Sequence, residues 1–278
     1  MDNIASTLQR STALLRATSS SAALDSQVLL AYVIDKPTSY LLTWPEQVLT
    51  KNQHFQFQQL IAERVKGMPI AYLVGKQEFW SLTLEVSPAT LIPRADTELL
   101  VEQVLQLFDA APLNCLDLGT GTGAIALALA SERSEWHIDA VDFQLPAVEL
   151  AQRNQQRHGI NNVHVFYSDW FSAIPADHRY QLIVSNPPYI NVDDPHLVIG
   201  DVRFEPSTAL VAEQHGLADI QLIATQARRY LTSTGMLMVE HGYQQKQAVQ
   251  QLLQQLGYQQ ICTKQDLAGH DRITFACY

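Results

Sequence analysis

From residue 1 to about residue 73, apolar side chains recur at spacings of three and four: Leu8, Leu14 and Leu15, then Leu24, Val28, Leu29 and Val33, then Phe57, Leu60, Ile61 and Val65. That period places them on one face of a helix. Breaks at 18–21, at Lys36-Pro37 and at Trp44-Pro45 divide the segment, so 1–73 is predicted to be a bundle of about four or five helices. The period then shortens. Phe79, Leu82, Leu84 and Val86, followed by Pro88, predict short strands, and 74–92 is expected to be a β-hairpin connecting the bundle to the rest of the chain.

Over 93–278, apolar runs of strand length alternate with helical patterns. Strands are predicted at 115–118, 137–142, 163–167, 182–185 and 236–240, and helices at 124–131, 146–157, 217–231 and 247–256. Pro146 falls in the first turn of its helix, where a missing N–H costs nothing. Two last strands, 260–263 and 272–277, would close the sheet as an antiparallel pair. The alternation predicts an α/β domain with a mostly parallel, doubly wound sheet. No internal repeat is visible, and the glutamine-rich 244–255 reads as a polar helix face.

The chain has 278 residues, 47% hydrophobic and 17% charged, enough for two domains with a sizeable core. No apolar stretch approaches the roughly 20 residues of a membrane helix. Met1-Asp2-Asn3 does not open a basic segment followed by an apolar run, so a cytoplasmic protein is expected. Cys115, Cys262 and Cys277 are far apart with no Cys-x-x-Cys pair, and they are expected to be buried small hydrophobes. The nine histidines, most of them expected on the surface or in loops, show no ligand spacing, so no metal is expected. A formal charge of −10 argues against holding long nucleic acid through its phosphates.

The chemistry is concentrated in two places. Leu116-Asp117-Leu118 leads into Gly119-Thr120-Gly121-Thr122-Gly123, a strand ending in a glycine-rich turn before a helix, where doubly wound sheets bind nucleotides. The Gly-x-Gly-x-Gly spacing differs from the dinucleotide fingerprint, and no lysine follows as in a P-loop. S-adenosylmethionine fits this turn better than NAD or ATP. Asp142, ending the second strand, is placed to accept from both ribose hydroxyls, a task it would also perform for NAD. After the third strand, Asp169 is expected to accept from the adenine amino group and Trp170 to stack on the ring.

The second place is Asn186-Pro187-Pro188-Tyr189, directly after the buried run Leu182-Ile183-Val184. The Asn186 side-chain oxygen can accept from an incoming amine or amide, and Pro187 biases Asn186 toward extended geometry. The Pro187 carbonyl is a second acceptor, and Tyr189 is expected to lie against the flat face of the acceptor group. Two acceptors fix the rotation of an NH2 group and aim its nitrogen at a methyl donor. An amide nitrogen is a poor nucleophile, so orientation carries the catalysis, and positioning contributes roughly 7–11 kcal/mol in favourable cases. No general base is visible in the motif, and none is required if the proton leaves after transfer.

These residues resemble the release factor glutamine methyltransferases, the PrmC/HemK family, over nearly the whole chain. The likeness extends to Gly67-x-Pro69-x-Ala71-Tyr72, Gly75-x-x-Glu78-Phe79-Trp80 and Leu91-Ile92-Pro93-Arg94-Ala95-Asp96-Thr97-Glu98, with Ala95 where a second proline is common. Arg203-Phe204-Glu205-Pro206, Ala209-Leu210 and Asp266-Leu267-Ala268-Gly269-His270-Asp271-Arg272 continue it. The resemblance implies a Rossmann-like class I S-adenosyl-L-methionine-dependent methyltransferase sheet at 93–278, with a small all-α N-terminal domain and a connecting β-hairpin. It implies methylation of the glutamine side-chain amide in the Gly-Gly-Gln motif of class 1 peptide chain release factors, gripped in part by the N-terminal helices. Carried over residue by residue, Gly119, Thr120, Gly121, Thr122, Gly123, Asp142, Trp170 and Asn186 bind the cofactor, and Asn186, Pro187, Pro188 and Tyr189 meet the glutamine. Glutamine methylation of a ribosomal protein and adenine methylation of DNA use similar chemistry and stay open as alternatives. A dehydrogenase or a nonenzymatic nucleotide-binding module would leave 186–189 unexplained.

Overall fold

A computed structural model describes residues 3–278. The described chain packs as two compact units: residues up to Lys76 together with Val198–Phe204, and Gln77–Leu197 together with Glu205–Tyr278.

The first unit contains α1 (Ile4–Leu15), α2 (Ala22–Ile34), α3 (Thr38–Thr43), α4 (Lys51–Val65) and α5 (Ile70–Val74). Their ends follow local chemistry. The Asn3 side chain accepts from the Ser6 N–H at the start of α1, and Thr50 and Gln53 form a reciprocal capping box at the start of α4. Asp35 ends α2 in the left-handed region, just ahead of Pro37. Ile4, Leu15, Leu29, Leu30, Leu41, Phe57 and Ile61 form the core. Into it intrudes Arg64, 7% exposed, which donates to Asp25 at 2.7 Å and to Asp201 at 2.9 Å. The cost of burying these charges is offset by bonds from Arg64 to the Gly67 and Met68 carbonyls and from Ser19 and Ser21 to Asp25. Burial works to raise the Asp25 carboxyl, but the hydroxyls of Ser21 and Ser19 and the Arg64 guanidinium hold it below the usual range.

A two-stranded hairpin follows, β1 (Lys76–Phe79) and β2 (Leu82–Glu85). The second unit then runs α6 (Ala95–Leu107), β3 (Asn114–Leu118), α7 (Ala124–Glu132), β4 (His137–Asp142), α8 (Leu145–His158), β5 (Val163–Tyr167), β6 (Tyr180–Ser185), α9 (Glu213–Gly216), α10 (Ala218–Ala227), β7 (Leu231–Glu240), α11 (Lys246–Gln255), β8 (Gln259–Gln265) and β9 (Asp271–Cys277). Its sheet has the order β5-β4-β3-β6-β7-β9-β8. β3 to β7 are parallel, β9 is antiparallel to β7, and β8 is antiparallel to β9.

Helices cover both faces, which explains strands apolar throughout rather than alternating. In β3, Cys115 joins the core formed with α6 and α7, while Leu116 and Leu118 join the core formed with α10 and α11. The doubly wound α/β sheet with an antiparallel end is therefore present as expected.

Three readings are corrected. A helix at α6 was not anticipated, although Asp96 and Glu98 occupy its first turn and Leu100, Val101 and Val104 are its buried stripe. The helix expected over 217–231 ends at Ala227, because Leu231 begins β7 and packs into the sheet core. Among the cysteines only Cys115 is fully buried; Cys262 and Cys277 lie on the last two strands and are partly exposed. His241 is fully buried, its ring sharing hydrogen bonds with the Gly242 carbonyl and the Thr274 hydroxyl.

Candidate functional site

The chain steps from β3 to β4 to β5 on one side of the sheet, then returns to place β6 on the other side of β3. That reversal opens a crevice past the carboxyl ends of β3 and β6, the place where sheets of this kind bind ligands. The register pairs Leu118 with Ser185, so Gly119 and Asn186 are the first residues beyond the paired ends. The Ser185 hydroxyl donates to the Leu118 carbonyl at 2.8 Å and ties the two ends together.

A cavity of about 360 Å³ lies at this point. One wall is the glycine turn, with Gly119, Gly121 and Gly123 all at positive φ (71°, 57° and 84°), where a side chain is strained. The amides of Gly119 and Thr120 both donate to the Val141 carbonyl, and the Thr120 hydroxyl donates to Asp117 at 2.6 Å. Asp117 is completely buried beneath the turn, and burial pushes its carboxyl up to about 7. Asp142 borders the cavity, accepting from the Gly121 amide at 3.0 Å through one oxygen and from the Gln144 amide at 2.9 Å through the other. Burial raises its pKa, and the amides of Gln144, Gly121 and Phe143 oppose the rise. Each carboxylate oxygen has two acceptor sites, so Asp142 keeps capacity for a diol. Asp169 and Trp170 line the next part of the wall. Trp170 is held at φ 45° by the Ser168 hydroxyl, which donates to its carbonyl at 2.7 Å.

On the opposite side, Asn186 and Pro188 line the cavity. Asn186 donates through Nδ2 to the Thr97 hydroxyl at 3.1 Å, which leaves Oδ1 as an acceptor. Pro187, Tyr189 and Gly123 do not border the cavity. Pro187 is buried, and Gly123 caps α7, where an added Cβ would stand 3.0 Å from a Leu127 methyl and 3.3 Å from the Ala151 Cβ. The Tyr189 hydroxyl donates to Glu240 at 3.1 Å, and its carbonyl accepts from the Gln245 side chain at 3.0 Å. Burial and the neighbouring Glu240 carboxyl push the Tyr189 phenol well up. Glu240, 1% exposed, is pushed up to about 7 by burial, against the nearby hydroxyls of Thr97 and Tyr189.

Three further residues were given no role in the site by the sequence, although Thr97 and Glu205 lie within the stretches that carry the family resemblance. Thr97 lines the cavity from α6, and Glu240 lies behind the tetrapeptide. Glu205 is buried and receives the Ile92 amide at 3.1 Å and the Arg94 guanidinium. Arg94 and Phe79 both line the cavity, whereas the Trp80 indole is turned to Glu132 at 2.7 Å. The result is a cleft with a glycine cradle and carboxylates along one part and a carboxamide acceptor at another. Such a cleft suits a nucleoside-bearing cofactor and an amine or amide presented to it.

The family model described as methyltransferase small domain matches residues 95–266, and that of the PrmC N-terminal domain matches residues 6–75. A release factor glutamine methyltransferase of Vibrio cholerae is 53% identical over 94% of this chain and 91% of its own length. One of Pseudomonas aeruginosa is 54% identical over 92% of each. The chain belongs to the release factor glutamine methyltransferase family. Among solved structures, a T. thermophilus 16S rRNA guanine methyltransferase in complex with AdoMet and guanosine superimposes with a TM-score of 0.55 at 19% identity, covering 73% of this chain and 49% of that one. At that identity the likeness concerns the fold, a methyltransferase sheet of the same kind.

Proposed function

We propose that this chain transfers a methyl group from S-adenosylmethionine to the side-chain amide nitrogen of the glutamine in the Gly-Gly-Gln motif of class 1 release factors. The observation that carries the reading is the opening of both the glycine turn and Asn186 into one cavity at the sheet's switch point. Membership of the family supplies the acceptor class, and it favours neither the ribosomal protein nor DNA.

The residues present fit the cofactor. Gly119 and Gly121 keep the turn free of side chains where a nucleoside would pass, Asp142 takes the ribose hydroxyls, and Trp170 with Asp169 takes the adenine. The cofactor supplies an electrophilic methyl on a sulfonium. Asn186, its Nδ2 committed to Thr97, presents Oδ1 to the acceptor NH2. This acceptor orients the nitrogen and interacts more strongly as positive character grows on it. The proton then leaves to solvent, and no side chain of the tetrapeptide needs to act as base. The helical unit, residues up to 76 with 198–204, is assigned to gripping the release factor.

The deciding experiment incubates a purified class 1 release factor with the protein and S-adenosylmethionine and reads the product by mass spectrometry, with ribosomal protein and duplex DNA in parallel. One added methyl on the Gly-Gly-Gln glutamine, absent with Asn186→Ala, is the expected result. Methyl on either rival acceptor alone would overturn the assignment.

A further inference from the structure

S-adenosylmethionine carries a sulfonium, an α-ammonium and an α-carboxylate. The two cations suit the cavity, whose wall includes the acidic side chains Asp142, Asp169 and Asp219. The carboxylate does not. Brought out of bulk water and in among acids, it requires a cation or a set of hydrogen-bond donors. Arg94 is the only arginine, lysine or histidine that borders the cavity among the described residues.

Its place in the fold fits that need. Past the carboxyl edge of the sheet, the strand order β5-β4-β3-β6 sets out in a row Asp169 with Trp170, then Asp142, then the glycine turn, then Asn186. Neighbouring strands lie about 4.8 Å apart, so the row spans about 14 Å. With the adenine at Trp170 and the ribose at Asp142, the remainder of the cofactor runs past the glycine turn toward Asn186. Arg94 stands at that end. It is the N-cap of α6, one turn before Thr97, whose hydroxyl accepts from Asn186 at 3.1 Å.

The guanidinium is held without being used up. Glu205, its side chain fully buried, takes Nη2 of Arg94 through one oxygen and the Ile92 amide, at 3.1 Å, through the other. Nε and Nη1 of Arg94 have no hydrogen-bond partner among the described residues, and the side chain keeps 36% of its surface open. A guanidinium has five N–H donors in a rigid plane, so donors remain for a second carboxylate.

We propose that Arg94 binds the α-carboxylate of S-adenosylmethionine, with Glu205 as the buried acceptor that aims the guanidinium into the cavity. The inference rests on the function proposed above only for the cofactor; the methyl acceptor plays no part in it.

The test measures dissociation constants by calorimetry for S-adenosylmethionine and for decarboxylated S-adenosylmethionine, which keeps the sulfonium, the amine and the adenosine. Wild type, Arg94→Gln and Arg94→Lys are compared. Wild type should prefer the ligand with the carboxylate by about 30-fold, within the scale of one hydrogen bond to a charged group. Arg94→Gln should bind S-adenosylmethionine about 30-fold more weakly and the decarboxylated ligand within about threefold of wild type, so the preference disappears. Arg94→Lys keeps the cation without the planar fork and should retain a preference of about fivefold. A residue that only shapes the pocket would weaken both ligands together, and that result in either variant overturns the proposal. Unchanged affinity for S-adenosylmethionine in Arg94→Gln also overturns it, as does a wild-type protein that binds the two ligands equally. If Arg94→Gln does not fold, wild type and Arg94→Lys decide. Because the contrast is read without turnover, a protein that shows it yet leaves the release factor unmethylated counts against the acceptor assigned above and not against Arg94.

Discussion

The Trp170 ring lies over Gly119, so close that a methyl placed on Gly119 would sit 3.6 Å from the ring carbon Cζ3. That distance is ordinary contact, so Gly119→Ala is not excluded by bulk. It is opposed by the backbone, because Gly119 sits at φ 71°. The expected cost is about 1–2 kcal/mol of stability, measured by chemical denaturation. The added methyl would also fill the space between ring and turn, so affinity for S-adenosylmethionine should fall. Trp170→Ala removes the stacking surface while leaving the turn intact and should weaken cofactor binding, and because the ring also packs against the core beneath α10 and α11 it should lower the denaturation midpoint as well. Equal affinity for cofactor in Trp170→Ala and wild type would remove Trp170 from the adenine site.

Arg64 yields a prediction confined to the helical unit. It is buried with Asp25 and receives the more exposed Asp201 from the segment 198–204. Arg64→Met leaves Asp25 buried without its cation, at an expected cost of about 3–5 kcal/mol. Asp201→Asn removes the solvent-accessible partner and should cost about 1 kcal/mol or less. Amides of 198–204 should exchange faster in both variants, by hydrogen-exchange mass spectrometry. Unchanged protection there in Arg64→Met would show that the segment is held by other contacts.

What the sequence made legible, and what it did not, follows from how far each feature depends on distant partners. The turn at 119–123 was readable because positive φ at alternate positions demands glycine, and the tetrapeptide because an amide, two prolines and an aromatic ring are rarely combined for packing alone. The parallel strands were readable because burial on both faces leaves continuous apolar runs such as Leu182-Ile183-Val184. By contrast, Thr97, Glu205 and Glu240 acquire their places only when strands and loops far apart in sequence come into register, as Ser185 does with Val239. A threonine in a first helical turn or a glutamate ending a strand has no local signature of a site residue. Tyr189 shows the same limit from the other side. Its ring was expected against the acceptor, yet it is directed to Glu240 and does not border the cavity, for a reason lying 51 residues away.

Arg94 and Glu205 extend the cavity wall. Glu205 is buried and binds both the Arg94 guanidinium and the Ile92 amide, fixing the stretch that precedes α6. Glu205→Gln keeps one acceptor for the Ile92 amide but lowers the attraction for Arg94. The expected result is a loss of about 1–3 kcal/mol in stability and a raised KM for cofactor, since Arg94 lines the pocket. Arg94→Ala should be worse for stability than Glu205→Gln, because it leaves a buried carboxylate without its cation. Thermal melts of the two variants side by side check the order, and the reverse order would show that Glu205 is held mainly by the backbone.

The pH dependence of stability has a definite sign. Asp117 and Glu240 titrate near 7 in the folded protein, against usual values of 3.8 and 4.5. Between about pH 4 and pH 7 the native state therefore holds protons that the unfolded chain has lost, so stability declines as pH rises through that range. Asp142, also raised by burial, acts in the same direction. Asp25 and Asp266 are shifted the other way by their hydrogen bonds and arginine partners, so they contribute above their usual range and lose that contribution in acid. Together the two sets place the maximum of the melting temperature near about pH 5, with a fall toward pH 8. Asp117→Asn should flatten the fall, since asparagine still accepts from the Thr120 hydroxyl 2.6 Å away in wild type but has no proton to lose. Scanning calorimetry from pH 4 to pH 9 decides the matter: a melting temperature that rises toward pH 8, or an Asp117→Asn curve parallel to wild type, would show that the buried carboxyls ionise without penalty to the fold.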